Sequence, residues 1–287
     1  MGRSLVAQAD AQGRTGSPGA DQAGGGRVSE LKERSVTLNG VETRIWEKGD
    51  GAPIVYFPGY GGAPRWHAFL DELARSRKVI VPSLPGFPGG GHGHLELDSQ
   101  LDWVMACNDL LDLAGLNGAD LIGVGFGGAL AADVAAVFPE TVRKLVLISP
   151  YGLFLDDDPI TNIWAQRPGT VQNILCTHPE RFLEMTATPN DYDPTEWNIE
   201  MIRAAEAGAR FLWPNGNTRL SKRLPRIKQP TLLLWGAEDK VIPQGYAKVF
   251  ADGISGETKI ETIAGAGHLA ELDEPEAVAK AILAFTG

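Results

Sequence analysis

The sequence is poor in cysteine, in excess positive charge and in long apolar runs. Only Cys107 and Cys176 occur among 287 residues, and neither has a paired cysteine or a histidine cluster beside it. The 26 Lys and Arg residues stand against 36 Asp and Glu residues, and the net charge of −10 repels phosphate backbones. No apolar run approaches the length of a bilayer span. These absences predict reduced cysteines, no nucleic-acid partner and no membrane partner, and they favour a cytoplasmic location.

The first residues lack the apolar stretch of a secretory signal. Residues 1–27 are rich in Gly, Ala, Gln, Asp and Ser, a composition that predicts a disordered tail. The rest of the chain is long enough to bury a full hydrophobic core. It fits one large α/β domain, with or without an insertion.

Strand-like and helix-like segments alternate over most of the chain. Two short β-rich runs, 34–38 and 41–46, flank Asn39-Gly40, the dipeptide most typical of a hairpin turn. Such alternation predicts a mostly parallel central sheet with helices on both faces, an α/β architecture. Further strands, with helical patterns between them, are predicted over 53–57, 78–82, 120–124, 144–149, 231–235 and 259–263.

The alternation stops between residues 151 and 226. This region holds Trp164, Trp197 and Trp213 among acidic and proline-rich turns, and we interpret it as a helical cap inserted over the sheet. The α/β core then consists of residues 28–150 and 227–287. Aromatic residues of the cap, together with Trp66, are candidates to line an apolar substrate pocket, because ligand sites are mostly apolar cavities. The alternative is that these tryptophans only fill the interior of the cap.

The sequence pattern centres on the segment 120–132, where an apolar strand meets a glycine cluster and an alanine-rich helix. Gly123, Gly125 and Gly128 satisfy the dinucleotide fingerprint Gly-x-Gly-x-x-Gly. That fingerprint belongs after the first strand of a βαβ unit, with an acidic residue about 20 positions on. Here the turn lies deep in the chain and the next strand ends without a carboxylate, so dinucleotide binding is disfavoured. The same pattern suits a nucleophile elbow, Gly-x-Ser-x-Gly, except that Gly125 stands in place of the serine.

Two later predicted strands are each followed by a residue typical of hydrolytic enzymes. Asp239 follows the strand that ends at Trp235, and His268 follows the next strand within Gly-Ala-Gly-His. This order of elbow, acid and histidine, with the run 223–236 and the acidic segment 271–275, resembles the α/β-hydrolase superfamily. Residues 30–287 are most similar to its capped branch of esterases, lactonases and carbon–carbon bond hydrolases.

The resemblance implies an α/β-hydrolase fold and gives roles to individual residues. Asp239 would orient the imidazole of His268, which would act as the base. Backbone N–H groups of Tyr60 and Phe126 would form an oxyanion hole. Gly125 would occupy the nucleophile position without a side chain to attack. No cofactor is implied. No metal site is predicted either, since the paired histidines of the 84–94 loop lack an acidic or cysteine partner at ligand spacing.

Three functions are compatible with Gly125. In the first, water or substrate fills the vacated space and His268 with Asp239 acts as a general base on a small apolar ester, lactone or activated carbonyl compound. In the second, the protein is a non-catalytic binder of such a ligand. In the third, it is a serine hydrolase that carries a Ser-to-Gly substitution. A small-molecule substrate is expected in the first and third cases, and a homo-oligomer is compatible with the sequence.

Overall fold

The computed structural model describes residues 29–167, 169–213 and 216–287, and the predicted tail over residues 1–27 lies outside them. Within these ranges, eight strands form one sheet in the order β1-β2-β4-β3-β5-β6-β7-β8. The strands are β1 Lys32–Leu38, β2 Val41–Lys48, β3 Pro53–Phe57, β4 Lys78–Pro82, β5 Ala119–Val124, β6 Val142–Ile148, β7 Thr231–Gly236 and β8 Thr258–Ile263.

The sheet is mostly parallel, as the alternation predicts. β1 and β2 form an antiparallel hairpin, and β2 is antiparallel to β4. The hairpin turns at Asn39 and Gly40, which both have positive φ, as a tight hairpin turn requires. The remaining neighbours, from β4 to β8, pair in parallel. Their carboxyl ends therefore meet at one edge of the sheet.

Helices cover the sheet on both faces. All residues of β5 and of β7 are buried, and a strand whose alternating side chains are all buried needs cover on both sides. α3 packs against β5 and β6, while α1 packs against α9. The helices are α1 Ala68–Ala74, α2 Gln100–Ala114, α3 Gly125–Val137, α4 Gln172–Leu175, α5 Pro179–Thr186, α6 Pro194–Leu212, α7 Gly245–Gly253, α8 Ala270–Asp273 and α9 Pro275–Thr286. None of those in the described ranges has the length and hydropathy needed to cross a bilayer.

The chain between β6 and β7, here called the helical segment (151–226), contains α4, α5 and α6 and, where it is described, no strand. Four aromatic rings join it to the rest of the fold. Phe211 of α6 lies edge-on to Phe126 of α3 at 5.2 Å between ring centroids and to Trp103 at 5.7 Å. Phe87 lies 4.9 Å from Phe126 on the core side. The limits of the segment as a separate cap stay a prediction.

The glycines at the start of α3 are explained by close packing of backbone on backbone. A Cβ on Gly127 would lie 2.4 Å from the carbonyl oxygen of Phe57 and 2.5 Å from that of Pro58. A Cβ on Gly128 would lie 2.9 Å from the Cβ of Pro150. Only glycine lets the helix approach the ends of β3 and β6 this closely. A Cβ on Gly123 would lie 2.5 Å from the carbonyl oxygen of Gly127, so packing explains two of the three fingerprint glycines, Gly123 and Gly128.

Candidate active site

Asp239 and His268 meet at the carboxyl edge of the sheet. They lie in the loops after β7 and β8, which are neighbouring parallel strands. A Cβ on Gly236 would lie only 2.0 Å from the carbonyl oxygen of Gly267, so the two loops are in direct backbone contact. Nδ1 of His268 lies 3.1 Å from Oδ2 of Asp239, and both side chains are buried. The structure thus brings together the predicted acid and base.

The carboxylate of Asp239 is held from two sides. Its Oδ1 accepts hydrogen bonds from the N–H groups of Val241 at 2.8 Å and Ile242 at 3.0 Å, while Oδ2 faces the imidazole. Burial alone raises the pKa of this carboxyl, but His268 and the two N–H groups outweigh it, so the pKa lies below its usual 3.8. An ionised carboxylate at Nδ1 favours the tautomer that carries its proton there, which leaves Nε2 free to act as a base.

Gly125 lies opposite that nitrogen. It is the first residue of α3 and has φ of +48°, a region in which a side chain costs about 1–3 kcal/mol. A Cβ at this position would lie 3.1 Å from Nε2 of His268 and 3.7 Å from Cε2 of Tyr151. The glycine therefore leaves a small space between the histidine and the start of the helix.

Two backbone N–H groups lie at the same edge. Phe126 is the second residue of α3, where N–H groups have no acceptor within the helix, and Val124 provides no side-chain cap. Tyr60 follows Gly59, whose Cβ would lie 3.1 Å from Cγ1 of Val124, so this loop rests on the end of β5. In the described ranges, no backbone acceptor takes the N–H of Tyr60. The oxyanion hole formed by these two groups stays a prediction.

A cleft of about 410 Å³ begins at Tyr60 and runs under the helical segment. Trp197 lines it and donates its indole N–H to the carbonyl oxygen of Thr186 at 2.8 Å. Trp164 is half-buried behind the same wall, where its indole N–H donates to the carbonyl oxygen of Ala205 at 3.1 Å. The rest of the lining mixes apolar side chains with the polar Thr186, Thr188 and Asn198; the apolar ones are Val171, Phe182, Leu183, Ala187, Pro194, Met201 and Ala205.

Trp66 and Trp213, like Trp164, are outside the lining of this cleft, so Trp197 is the one predicted tryptophan that lines it. Trp66 donates to Oδ1 of Asp71 at 2.8 Å, which holds its indole against α1, and it lines a separate cleft of about 530 Å³ with Glu271. Trp213 follows the last residue of α6 and is 65% exposed, in an outer cleft beside Arg210. The four tryptophans therefore do not line one common cavity.

Tyr151 is a residue of this site that the sequence pattern does not single out. It lies in the loop after β6, and its N–H donates to the carbonyl oxygen of Gly125 at 3.1 Å. Its ring stands edge-on to the imidazole of His268, with 5.5 Å between centroids. The only available signal was its position at the end of a strand that neighbours β5.

Comparisons with known proteins show the family of this chain. The family model described as alpha/beta hydrolase family matches residues 54–281. The chain is 28% identical over 227 residues to 2-hydroxy-6-oxo-2,4-heptadienoate hydrolase of Pseudomonas putida strain F1, a match that covers 73% of this chain and 80% of the relative. It is 26% identical over 260 residues to 2-hydroxymuconate semialdehyde hydrolase of Pseudomonas sp. strain CF600, over 84% and 88% of the two chains.

Solved structures give the same result. A serine hydrolase involved in carbazole degradation, the CarC enzyme, superimposes with a TM-score of 0.71 at 25% identity. The match covers 90% of this chain and 99% of that one. All three proteins are hydrolases by name.

Proposed function

Because the chain belongs to the alpha/beta hydrolase family and has its α/β-hydrolase fold, we propose that it is a cofactor-independent hydrolase in which His268 activates water over Gly125. One observation carries the proposal. A Cβ on Gly125 would lie 3.1 Å from Nε2 of His268, so the glycine leaves this nitrogen facing the start of α3 with no side chain of residue 125 against it. Asp239 at Nδ1 supplies the orientation that a general base needs.

The reaction proceeds without a covalent enzyme intermediate. Nε2 of His268 accepts a proton from water while the water oxygen bonds to the carbonyl carbon of the substrate. The carbonyl oxygen then carries the negative charge, and the N–H groups of Tyr60 and Phe126 stabilise it. When the tetrahedral intermediate collapses, the leaving group takes the proton from the imidazolium. Atoms and charge balance with one water consumed.

The substrate is a small, largely apolar ester, lactone or activated carbonyl compound. The cleft at Tyr60 supports this choice because its volume suits a small molecule, and its apolar side chains with a few polar ones suit a largely apolar substrate that carries a carbonyl group. The relatives are named as hydrolases of 2-hydroxy-6-oxo-2,4-heptadienoate and of 2-hydroxymuconate semialdehyde, which adds activated carbonyl compounds of that kind to the substrates worth testing.

A buried, hydrogen-bonded Asp239–His268 pair favours catalysis over binding alone. The two side chains are 0% and 1% exposed, and keeping the ionised carboxylate of Asp239 out of water costs several kcal/mol. A protein that only binds an apolar ligand gains nothing from retaining them. Binding without turnover and a serine hydrolase that carries a substitution are the two outcomes that the test must separate.

The test compares the chain with Gly125→Ser and His268→Ala. We expect the unchanged chain to hydrolyse p-nitrophenyl esters or a 2-hydroxy-6-oxo-dienoate, and His268→Ala to lower kcat by at least about 100-fold. His178→Ala is the matched control, since the His178 side chain is 44% exposed and its Nδ1 faces Glu180 at 3.5 Å. Equal turnover in the unchanged chain and in His268→Ala contradicts the proposal.

A fluorophosphonate probe separates the remaining outcomes. It labels a serine nucleophile, so we expect labelling of Gly125→Ser and none of the unchanged chain. Turnover that occurs only in Gly125→Ser identifies a serine hydrolase that has lost its nucleophile. Ligand binding without turnover or labelling in either form identifies a binding protein.

A further inference from the structure

The ring of Tyr151 lies beside Gly125. The side chain is 2% exposed, and within the described ranges its hydroxyl is buried without a hydrogen-bond partner. Cε2, which adjoins the carbon that bears the hydroxyl, lies 3.7 Å from the point where a Cβ on Gly125 would be. An unpartnered buried hydroxyl costs free energy, and such exceptions call for an explanation.

The ring is held on three sides. Its edge-on contact with His268 fixes it against the imidazole, and its own backbone N–H is bound to the carbonyl oxygen of Gly125. On a third side, a Cβ on Gly216 would lie 2.7 Å from Cδ1 of the ring, so the backbone of the helical segment closes directly over it. The ring that bears the hydroxyl is thus fixed against the imidazole of His268 and against Gly125.

The phenol is neutral in this environment. Burial is the main cause that raises the pKa of Tyr151 well above 10, and the nearby charges of Asp239 and Tyr60 act in the same direction. A neutral phenol does not serve as a base or a nucleophile at ordinary pH. It donates one hydrogen bond.

We propose that Tyr151 is a catalytic residue that donates a hydrogen bond to the attacking water over Gly125. This inference rests on the proposed function. The water gives one proton to Nε2 of His268, accepts the Tyr151 hydroxyl on one lone pair and directs its other lone pair at the carbonyl carbon. Tyr151 keeps its proton throughout, so the balance of the reaction is unchanged. Two hydrogen bonds to the water thereby replace the covalent tether that a serine would provide.

Tyr151→Phe tests this role because it removes only the oxygen atom. We expect kcat to fall about 10- to 100-fold with KM within about twofold, since the lost hydrogen bond acts on water and not on bound substrate. The melting temperature should stay the same or rise, because an unpartnered buried hydroxyl has been removed.

Tyr246→Phe is the matched control. Tyr246 is also buried, but its hydroxyl accepts from the N–H of Leu155 and donates to the carbonyl oxygen of Asp158, both at 2.9 Å. Its loss should lower the melting temperature and leave kcat unchanged. The two variants are therefore expected to change kcat and the melting temperature in opposite patterns. A general effect of losing a buried hydroxyl would change both variants in the same way.

The Gly125→Ser background gives a second test. In that background the serine hydroxyl, and not water, is the nucleophile for acylation. Tyr151→Phe should therefore lower the rate of acylation less than about threefold. A full 10- to 100-fold loss in that background would show that Tyr151 acts on something other than the water.

The outcomes distinguish this inference from the proposed function. If His268→Ala abolishes turnover while Tyr151→Phe leaves kcat within twofold of the unchanged chain, only the role of Tyr151 is overturned. If the unchanged chain shows no turnover, the proposed function fails and the inference fails with it.

Discussion

The hydroxyl of Tyr56 donates a hydrogen bond to Oε1 of Glu271 across 3.2 Å of protein interior. The second carboxyl oxygen of Glu271 is buried and, in the part of the chain that the structure describes, has no partner. Burial is the largest effect and raises the pKa of Glu271 to about 8, although Tyr56 and a backbone N–H act in the opposite direction. Glu271 is therefore mainly protonated at neutral pH.

Glu271 should make the protein less stable as pH rises. The unfolded chain releases the proton near pH 4.5 and the folded chain near pH 8, so the folded state binds more protons between these values. The contribution to the free energy of unfolding is fully present below pH 4.5 and is lost as pH rises to about 8.

Glu271→Gln removes this titration and keeps an acceptor for Tyr56. We expect its free energy of unfolding to exceed that of the parent increasingly from pH 5 to about 8, by an amount on the order of a few kcal/mol at the upper end. Urea denaturation at a series of pH values measures it, with the exposed Glu276→Gln as control. Parallel pH profiles for Glu271→Gln and the parent would show that Glu271 does not titrate this way.

Asp239→Asn should reduce turnover by about 100- to 10,000-fold with little effect on folding. The amide oxygen can still accept from the N–H groups of Val241 and Ile242, but the NH₂ group then faces Nδ1 of His268. That contact favours the tautomer with its proton on Nε2, which cannot act as a base. Steady-state kinetics and the melting temperature measure the two effects. An Asn variant with turnover within threefold of the parent would remove Asp239 from the mechanism.

Gly127→Ala should destabilise the fold by more than about 3 kcal/mol, above the usual cost of overpacking, because the new Cβ meets two rigid backbone carbonyl oxygens. Gly208→Ala is the matched control inside α6, where the nearest atom to a Cβ lies 3.7 Å away on Trp164. There the helix propensity of alanine should add up to about 1 kcal/mol of stability. Chemical denaturation gives both values, and changes of the same sign would refute the packing explanation.

Trp197→Ala and Trp213→Ala should behave differently. Trp197 is 7% exposed and lines the cleft at Tyr60, so its loss should raise KM and lower stability by about 3–5 kcal/mol. Trp213 is mostly exposed, and its removal should change stability by less than about 0.5 kcal/mol and leave KM unchanged. Kinetics and thermal melting are measured separately. If Trp197→Ala lowers stability without raising KM, Trp197 is only interior packing.

The sequence predicts the sheet and the meeting of acid and base because both depend on strand order. Asp239 and His268 follow consecutive strands, and the carboxyl ends of parallel neighbours share an edge. β1 begins at Lys32, two residues before the predicted start, because Lys32 and Glu33 extend an exposed edge strand whose pairing with β2 leaves no apolar signal.

The positions of the tryptophans and of Tyr151 relative to the site depend instead on the direction of their side chains. Trp197 and Trp213 both belong to α6 or its end, yet one faces the cleft and the other faces solvent. Composition alone does not distinguish these positions. Tyr151 enters the site only because the loop after β6 crosses Gly125, and a single aromatic residue in a loop forms no pattern.

A large ligand would affect Phe126 through two parts of the residue, its ring and its backbone N–H group. Its ring packs on Phe211 of α6, while its N–H points from the first turn of α3. A ligand too bulky for the cleft would displace α6 and disturb Phe126, whose N–H group is the proposed oxyanion donor. An oversized substrate would then bind more weakly, because α6 loses its packing against Phe126, and would also react more slowly, because the displaced N–H group stabilises the transition state less.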